Sequence, residues 1–550
     1  MILDRAPRRR VCRWQVTAIV FWLMVVGVAH AAAGLKAASA EARRPPNVLF
    51  IAVDDLRPEL GCYGVDQVRS PNIDRLASRG VTFTRAYCQW AICGVSRASL
   101  LTGLRPDTIK GAGMGTHFRK YVPDVITLPQ HFKNAGYHAQ ALGKIYHGAF
   151  ANAYVGRRMH DPPSWSVKTW LGSPRYYFTP TGEQVARQVF TRTQGRGRID
   201  ADQWVNHFVR GLATEAPEVE DNVPYDGRMT EQAIETLGQI KDRPFFLAVG
   251  YLKPHLPFVA PRKYWDLYDP DAIPLPRHDQ PPAKVPGIAL NNWGELRYYH
   301  DMPKKGGLSA EQTRHLRHGY YACVSYIDAQ IGRLLAELDR LKLRDNTIVV
   351  LWGDHGWKLG DYGMWCKHTN FELDTRVPLI VSVPGREGNG RRSSGLVELL
   401  DLYPTLTELA GLELPDHLEG ASFAPLLDRP DGRGKPRAFS QYPRQVAGKP
   451  AMGYSMRTDR YRLTVWKTLG RAGKVHAVEL YDHMTDPQES VNVSGDPKRR
   501  ELLEKLRAQL DRHGSRWGGG RAEAGPSVRS GLASAVSGPS GASPPARPTR

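Results

Sequence analysis

Four short apolar runs constrain the fold of this chain more than any other feature. They cover Asn47–Val53, Phe245–Tyr251, Thr347–Trp352 and Leu379–Val383. Each is too short for a core helix, and none alternates between apolar and polar residues. Continuous apolar character is typical of strands that are buried on both faces of a parallel sheet. The sequence therefore predicts such a sheet.

Helical patterns lie between these runs. The clearest is an apolar stripe at helical spacing, formed by Ile327, Ile331, Leu334, Leu335 and Leu338. A second candidate helix covers Leu400–Leu412. Strands that alternate with helices predict an α/β fold, here a large sandwich of a mostly parallel sheet between helices. The active site of such a fold is expected beyond the carboxyl ends of the strands.

The length of 550 residues suits one large core and a smaller unit. The large unit is assigned to residues 45–435. Strand-like pieces such as Met452–Met456 and Tyr461–Val465 then precede an amphipathic helix over Pro497–Arg512. We therefore predict a smaller C-terminal α+β subdomain over residues 436–513.

Both ends of the chain differ from this globular pattern. Five arginines in residues 1–14 precede the apolar run Val16–Ala29, and small residues follow in an A-x-A pattern, as in a signal peptide over residues 1–33. The run has 14 residues, against about 20 for a membrane span, so export is favoured over an uncleaved anchor. We expect a periplasmic, extracellular or lysosome-like location and no stable membrane span in the mature form. Residues 514–550 are rich in Gly, Ser, Pro, Ala and Arg, a composition typical of disorder.

The segment from about 148 to 228 is rich in Arg, aromatic residues, Gly and Pro and shows little periodicity. A long irregular insertion is either a functional lid or substrate wall, or a simple surface insertion. Its cations Arg157, Arg158, Lys168 and Arg175 are candidates for binding a uronate carboxylate or neighbouring sulfates, and equally for solvated surface charges.

The charge and the cysteines narrow the function class. Of the formal net charge of +20, residues 1–14 and 514–550 carry +4 each, so +12 remains for the rest. This excess favours a polyanionic partner, and without a nucleic-acid motif we expect no nucleic acid. The cysteines that remain after signal removal are odd in number and form no C-x-x-C framework, so at least one is unpaired: Cys62, Cys88, Cys93, Cys323 and Cys366.

Two acidic motifs follow predicted strands directly. Asp54 and Asp55 end the first apolar run, and Asp354 and His355 follow the third. Adjacent carboxylates at the mouth of a sheet are costly unless a cation neutralises them, so a metal site is one interpretation. Taken singly, each motif fits a turn or a helix cap as well.

Several other polar residues indicate a chemistry only when they are considered together. Cys93 opens a segment that is predicted to be a short helix closed by Gly103, and a helix N-terminus attracts anions. Cationic side chains occur in turn-like contexts at Lys144, His147, His255, Lys367 and His368. Clustered around one point, they would suit a tetrahedral dianion and its leaving alcohol. Each alone is equally consistent with the surface or the core.

Together these motifs resemble the sulfatase family of the alkaline-phosphatase-like superfamily. Cys93–Gly103 resembles the signature Cys-x-Pro-Ser-Arg with a following Leu-Thr-Gly, whose cysteine is oxidised to formylglycine. The motifs Val-Asp-Asp-Leu-Arg-Pro, Gly-Lys-x-x-His, Lys-Pro-His-x-Pro-Phe, Gly-Asp-His-Gly-Trp and Lys-His-x-Asn-Phe occur in family order. The similarity is greatest to the iduronate-2-sulfatase branch and covers residues 45 to 512.

The resemblance implies a sulfuric ester hydrolase that acts on a sulfated polysaccharide or oligosaccharide, with 2-O-sulfated iduronate or a related sugar as the substrate. It implies a Ca²⁺ site formed by Asp54, Asp55, Asp354, His355 and the formylglycine derived from Cys93. A formylglycine-generating enzyme is then a required partner. The aldehyde hydrate has two hydroxyls, one to attack sulfur and one to expel sulfate.

The resemblance also implies roles for the cationic residues. Arg97 would hold the formylglycine hydrate, and Lys144 and Lys367 would bind sulfate oxygens. His147 would orient a hydroxyl and His255 would protonate the leaving alcohol, or these two roles are exchanged. Substrate-binding positions are expected at Trp357 and His368.

One departure from the family signature is Val95, which replaces the proline two places after the cysteine. Proline fixes the backbone and lacks an N–H, so this position bears on recognition by the maturation enzyme. Two alternatives stand beside the sulfatase: the first reflects the tetrahedral shape that sulfate and phosphate esters share, and Val95 and the net positive charge bear only on the second. One is a phosphodiesterase or phosphonate hydrolase on the same fold, and the other is a non-catalytic binder of sulfated polysaccharide with Cys93 unmodified.

Overall fold

The computed structural model describes residues 44–147, 160–173, 175–194, 209–469 and 473–517. The predicted signal segment, Arg157, Arg158 and the tail from residue 518 lie outside these residues. The features described below belong to one compact unit, Pro46–Arg550.

The strands, numbered in chain order, are β1 Asn47–Val53, β2 Val81–Tyr87, β3 His138–Gly143, β4 Thr214–Glu215, β5 Phe245–Tyr251, β6 Phe258–Val259, β7 Thr347–Gly353, β8 Lys358–Leu359, β9 Trp365–Cys366, β10 Arg376–Ser382, β11 Arg392–Ser393, β12 Val397–Glu398, β13 Ala438–Val446, β14 Lys449–Arg457, β15 Tyr461–Thr468 and β16 Val475–Asp482. The α-helices are α1 Pro71–Ala77, α2 Cys93–Thr102, α3 Leu128–Asn134, α4 Pro180–Gln194, α5 Tyr225–Ile240, α6 Arg262–Trp265, α7 Gly294–Arg297, α8 Ala310–Arg340, α9 Glu372–Thr375, α10 Leu402–Leu409, α11 Pro425–Asp428 and α12 Arg500–Trp517.

The central sheet confirms the predicted α/β fold. Its strand order is β11-β2-β10-β7-β1-β5-β3, and β12 also pairs with β2. Strand β1 runs parallel to both β5 and β7, and β3 runs parallel to β5. Val53 at the end of β1 lies opposite Gly353 of β7 and Tyr251 of β5. The carboxyl ends of these strands therefore meet at one edge of the sheet.

The prediction of a parallel strand at Leu379–Val383 is wrong in direction. The segment forms β10, which runs antiparallel to both β7 and β2. A parallel connection needs a crossover of a dozen or more residues, usually a helix. Between β7 and β10 the chain forms only β8, a three-residue 3₁₀ helix at Asp361–Gly363, β9 and the four-residue helix α9. The chain therefore remains at the edge of the sheet where β7 ends. Strand β10 starts at that edge and runs in the direction opposite to β7.

Helices cover both faces of the central sheet, as the sandwich prediction requires. Leu49 and Ile51 of β1 join one apolar cluster with residues of α1, α5 and α8. Val48 and Phe50 point to the opposite face and join a second cluster with residues of α2, α3 and α10. Complete burial of one such side chain contributes about 1.5–3 kcal/mol. The rigid sheet is thus held from both sides.

The C-terminal part forms a separate antiparallel sheet of β13, β14, β15 and β16 in sequence order. Helix α12 packs on it through Leu506 and Leu510, which contact a cluster that includes Leu463. The helix runs to Trp517, five residues beyond its predicted end. The Asn370 side-chain amide donates to Gly453 O at 2.9 Å, so this sheet contacts the loop that follows β9.

The insertion between residues 148 and 228 is more regular than predicted. It contains the 15-residue helix α4 and strand β4, and α5 begins within it at Tyr225. The helix signal was a short apolar stripe formed by Val185, Ala186, Val189 and Phe190. Ala186 and Phe190 are buried, which anchors α4 on the core.

The structure also tests the prediction about the cysteines. At least one cysteine was expected to be unpaired, and Cys62, Cys88, Cys93, Cys323 and Cys366 are all free. Within the described ranges, no helix has both the length and the apolar character that a membrane crossing requires.

Gly250 of β5 lets the backbone of Lys144 approach closely. A Cβ at this position would lie 2.2 Å from Lys144 O, a backbone atom that cannot move away cheaply. We expect Gly250→Ala to reduce the free energy of unfolding by about 2–3 kcal/mol, measured by urea denaturation. The matched control is Gly238→Ala in α5, where nothing lies within 4 Å and where stability should rise by up to about 1 kcal/mol. Equal stability of the two variants would contradict this account.

Candidate active site

The ends of β1 and β7 bring four predicted residues together. Asp54, Asp55, Asp354 and His355 follow these paired strands directly, and all four side chains are fully buried. The backbone N–H groups of Asp55 and His355 each donate to Asp354 Oδ1 at 3.1 Å. Asp55 adopts a left-handed φ of 59°, an uncommon conformation for a non-glycine residue that is often found at functional sites.

Cys93 is the first residue of α2, and its side chain faces these carboxylates. Its Sγ lies 3.2 Å from His355 Nε2 and 3.8 Å from Asp55 Oδ1. Burial, together with the negative charge of Asp54, raises the pKa of the Cys93 thiol well above its usual range. The helix ends at Gly103 with a left-handed φ of 69°, as the sequence predicts. The unmodified side chain is therefore a protonated thiol inside a polar pocket.

Two cations neutralise the carboxylates from the inner side. Arg97 Nε donates to Asp354 Oδ2 at 2.8 Å, and its Nη2 donates to Asp54 Oδ1 at 3.1 Å. Lys144, just beyond β3, donates to the other oxygen of Asp54. Burial would raise the pKa of Asp54, yet Lys144 and Arg97 hold it well below its usual range. Arg97 lies one helical turn after Cys93. In the described structure it is the counter-charge of Asp54 and Asp354.

A third cation, Lys367, binds a carboxylate that sequence reasoning missed. Its Nζ lies 2.9 and 3.1 Å from the two oxygens of Asp55 and 3.1 Å from Glu295 Oε1. Glu295 belongs to the short helix α7, which has neither a strand before it nor an apolar periodicity to mark it. Burial would raise the pKa of Glu295, but Lys367 and His255 hold it well below its usual range.

The two predicted histidines differ in their surroundings. His255 Nδ1 lies 2.7 Å from the carbonyl of Leu256, and its Nε2 lies 3.1 Å from Glu295 Oε1 and 3.8 Å from Asp55 Oδ2. Burial and the nearby Lys144 lower the pKa of His147 well below its usual range. His147 is therefore held neutral, whereas both ring nitrogens of His255 face oxygen atoms.

The predicted substrate-binding residues lie beside this cluster. Lys367 Nζ is 4.7 Å from the ring centroid of Trp357, and this ring is fully buried. Burial lowers the pKa of His368 to about 3, so that its ring is neutral. The His368 carbonyl accepts from Arg444 Nη2 at 2.7 Å, and its ring lies 5.8 Å from that of Tyr442. Both partners come from β13 of the C-terminal sheet.

Of the four cations predicted in the insertion, the structure describes Lys168 and Arg175, and neither forms a hydrogen bond or ion pair with the residues of the site. Arg175 pairs with Glu183 and lies over the ring of Phe178 at 5.2 Å. Lys168 is exposed. Arg157 and Arg158 fall outside the described residues. For Arg175 the surface interpretation therefore fits its observed partners.

The donor atoms fit a hard divalent cation. Ligands bound at 2.3–2.6 Å and at right angles lie about 3.3–3.7 Å apart. His355 Nε2 lies 3.3 Å from Asp55 Oδ1 and 3.8 Å from Asp354 Oδ1. His355 Nδ1 is 2.9 Å from Gly356 O, so Nδ1 carries the proton and Nε2 keeps its lone pair. Ligand atoms of Asp54, Asp55 and Cys93 also converge within 4.8 Å.

Family models match most of the chain. A model described as Sulfatase matches residues 46–412. A second model, described as N-sulphoglucosamine sulphohydrolase, C-terminal, matches residues 360–516.

Individual relatives agree with these models. Human iduronate 2-sulfatase is 36% identical over 530 residues, which cover 84% of this chain and 93% of the human protein. Among solved structures, a phosphonate monoester hydrolase from Silicibacter pomeroyi has a TM-score of 0.66 at 25% identity, covering 86% of this chain and 95% of that one. A 2-O GAG sulfatase has a TM-score of 0.64 at 23% identity, covering 86% of this chain and 93% of its own.

Arg97 is predicted to be essential for the stability of this cluster. Arg97→Met keeps an unbranched apolar stem but removes the guanidinium, which leaves Asp54 and Asp354 without their shared counter-charge. Removal of one partner from a buried ion pair costs about 3–5 kcal/mol, and we expect a loss of that size in urea unfolding with chelator present. Arg340→Met, which breaks an exposed pair with Glu337, is the control and should unfold like wild type. A loss below about 1 kcal/mol for Arg97→Met would contradict the assignment.

Proposed function

The chain belongs to the sulfatase family and is a sulfuric ester hydrolase, and from this premise we propose that it desulfates a glycan through a formylglycine made from Cys93. The proposed substrate is 2-O-sulfated iduronate or a related sugar within a sulfated polysaccharide or oligosaccharide. The identity of 36% to human iduronate 2-sulfatase along most of both chains supports this substrate class. The observation that carries the mechanism is the position of Cys93, whose Sγ lies 3.2 Å from His355 within a ring of buried carboxylates and cations.

Two groups would complete the site. Asp54, Asp55, Asp354, His355 and the modified Cys93 would hold Ca²⁺, which supplies positive charge that polarises its oxygen ligands when bound. The hydrated formylglycine supplies two hydroxyls on one carbon, one to accept the sulfuryl group and the other to release it.

The remaining side chains of the chain bind and orient the ester. Lys144 and Lys367 each place an ammonium group beside the carboxylates, where they can bind sulfate oxygens. Both ring nitrogens of His255 face oxygen acceptors, Leu256 O at Nδ1 and Glu295 Oε1 at Nε2, and these contacts favour a proton on each nitrogen. His147 is neutral and suits the role of a proton acceptor. These differences favour His255 as the acid for the leaving alcohol and His147 as the residue that orients a hydroxyl.

Substrate binding, export and maturation follow from the same proposal. His368 is partly exposed and would contact a sugar ring beside Lys367, while the fully buried ring of Trp357 would support Lys367 from behind. Export through residues 1–33 would bring the enzyme to an extracytoplasmic glycan. Cys93 is only 2% exposed, so a formylglycine-generating enzyme would modify it before the chain folds. Val95 lies within the segment that this enzyme would recognise.

Two alternative functions have less support than the sulfatase. A phosphonate hydrolase is favoured by the TM-score of 0.66 to such an enzyme, which at 25% identity is a weaker similarity than that to iduronate 2-sulfatase. A non-catalytic binder of sulfated glycan would retain the fold with Cys93 as a thiol. It has no use for the buried cations that surround that thiol.

The modification of Cys93 is tested by mass spectrometry of the tryptic peptide Ala86–Arg97 from protein secreted by the native host. We expect an aldehyde at Cys93, together with hydrolysis of an aryl sulfate and a 2-O-sulfated uronate. Cys93→Ala should lower kcat by at least about 10³-fold, because the nucleophile is lost. An unmodified thiol would contradict the enzyme proposal, and a preference for a phosphodiester or phosphonate ester would favour the hydrolase rival.

Calcium binding is tested through stability and not through activity alone. After dialysis against chelator, addition of Ca²⁺ at 100 times its Kd should stabilise the wild type by about 2.7 kcal/mol, and raise its melting temperature. Asp354→Asn should lose most of this response, since it removes a donor oxygen. Mg²⁺ at the same concentration should stabilise less, because it demands shorter and more regular coordination. An unchanged melting temperature with Ca²⁺ would contradict the assigned ion.

A further inference from the structure

Glu295 is a charged residue of the site that the sequence motifs do not include. Its side chain is 16% exposed, and both of its carboxylate oxygens lie 3.1 Å from Lys367 Nζ. The same Oε1 lies 3.1 Å from His255 Nε2. One carboxylate therefore joins the cation proposed to bind sulfate to the imidazole proposed to protonate the leaving alcohol.

The backbone around Glu295 is tied to the segment directly after β9 that carries Lys367. The side-chain amide of Asn291 donates to the carbonyl of Lys367, and Asn291 Oδ1 accepts from Trp293 N at 3.0 Å. Trp293 caps α7 in a left-handed conformation with a φ of 42°. Because these bonds fix α7 against Lys367, Glu295 is held in place before any substrate binds.

The charges explain why this position needs a carboxylate. Lys367 contacts Asp55 and Glu295, and Asp55 is one of the proposed ligands of the cation. Once Asp55 shares its charge with a divalent ion, its attraction for Lys367 weakens. Glu295 is then the carboxylate that still holds Lys367 Nζ in position.

Glu295 also orients His255. The Nδ1 atom of His255 is held by Leu256 O at 2.7 Å, and its Nε2 atom faces two carboxylates. Glu295 Oε1 is closer to Nε2 than Asp55 Oδ2 is, at 3.1 against 3.8 Å. Glu295 thus fixes the orientation of the imidazole ring, and a leaving oxygen bound beside Oε1 would share the Nε2 proton with it.

We propose that Glu295 is a positioning residue that aligns Lys367 with the sulfate and His255 with the leaving oxygen. This inference rests on the proposed function, because it takes the roles of Lys367 and His255 from it. Glu295 does not itself contact the reacting atoms. Its effect on the rate should therefore depend on how much the leaving group needs a proton.

Leaving-group chemistry separates this role from a merely structural one. A sugar hydroxyl is a poor leaving group and depends on protonation by a well-oriented acid, whereas an activated phenol leaves without one. Loss of a positioning residue should slow sugar sulfates far more than activated aryl sulfates. General loss of folding would slow both equally.

The test compares wild type, Glu295→Gln and Glu295→Asp on a 2-O-sulfated uronate disaccharide and on 4-nitrocatechol sulfate, with Ca²⁺ present. For Glu295→Gln we expect kcat to fall about 10- to 100-fold on the sugar sulfate and less than about fivefold on the aryl sulfate. KM should change less than about threefold on either, because the loss lies in alignment. Glu295→Asp keeps the charge and should recover much of the sugar-sulfate rate.

Glu59→Gln is the matched control, because Glu59 is 14% exposed and pairs with Arg57 at 3.2 Å without contacting Lys367 or His255. It should leave the ratio of the two rates unchanged. Equal losses on both substrates, or no loss, would contradict the inference. Should Glu295→Gln fail to fold, Glu295→Ser, which also removes the charge, is measured in its place, and a ratio equal to that of wild type contradicts the inference. A wild type that cleaves neither sulfate contradicts the proposed function itself.

Discussion

The burial of three carboxylates at the ends of two paired strands is the constraint on which the rest of this structure depends. Asp54, Asp55 and Asp354 are fully inaccessible, and each buried charge costs several kcal/mol unless it is compensated. Arg97 and Lys367 provide much of this compensation. The surrounding fold can be understood as the scaffold that brings these counter-charges to one edge of a sheet.

Each counter-charge comes from a different part of the chain, and each part is anchored independently. Helix α2 carries both Cys93 and Arg97, which lie four residues apart and so share one helix face. Lys144 follows β3, where the close approach of Gly250 fixes its backbone. Lys367 follows β9, whose loop is held by the C-terminal sheet through Asn370. Rigid elements thus set the site, as precise chemistry requires.

The sequence predicted what depends on local pattern and missed what depends on the path of the chain. The buried strands were marked by continuous apolar runs, the amphipathic part of α8 by apolar periodicity, and the helix at Cys93 by the glycine that closes it. The direction of β10 was not, because direction depends on the absence of a crossover helix. Glu295 was missed for a related reason: it lies 72 positions from Lys367 in a four-residue helix, and no periodicity or strand end marks it. Only the folded loop shows that the two residues meet.

The charge balance of the assembled site shows why a divalent cation and Glu295 belong together. Four carboxylates, those of Asp54, Asp55, Asp354 and Glu295, face three permanent cations, Arg97, Lys144 and Lys367, and a protonated His255 would bring the sum to zero. Such a site has no net attraction for a sulfate ester, which carries one negative charge. A dication adds the positive charge that draws the ester in, while Glu295 keeps Lys367 from being repelled by that dication. With Glu295 present, the site can hold a divalent cation while the ammonium group of Lys367 keeps its position.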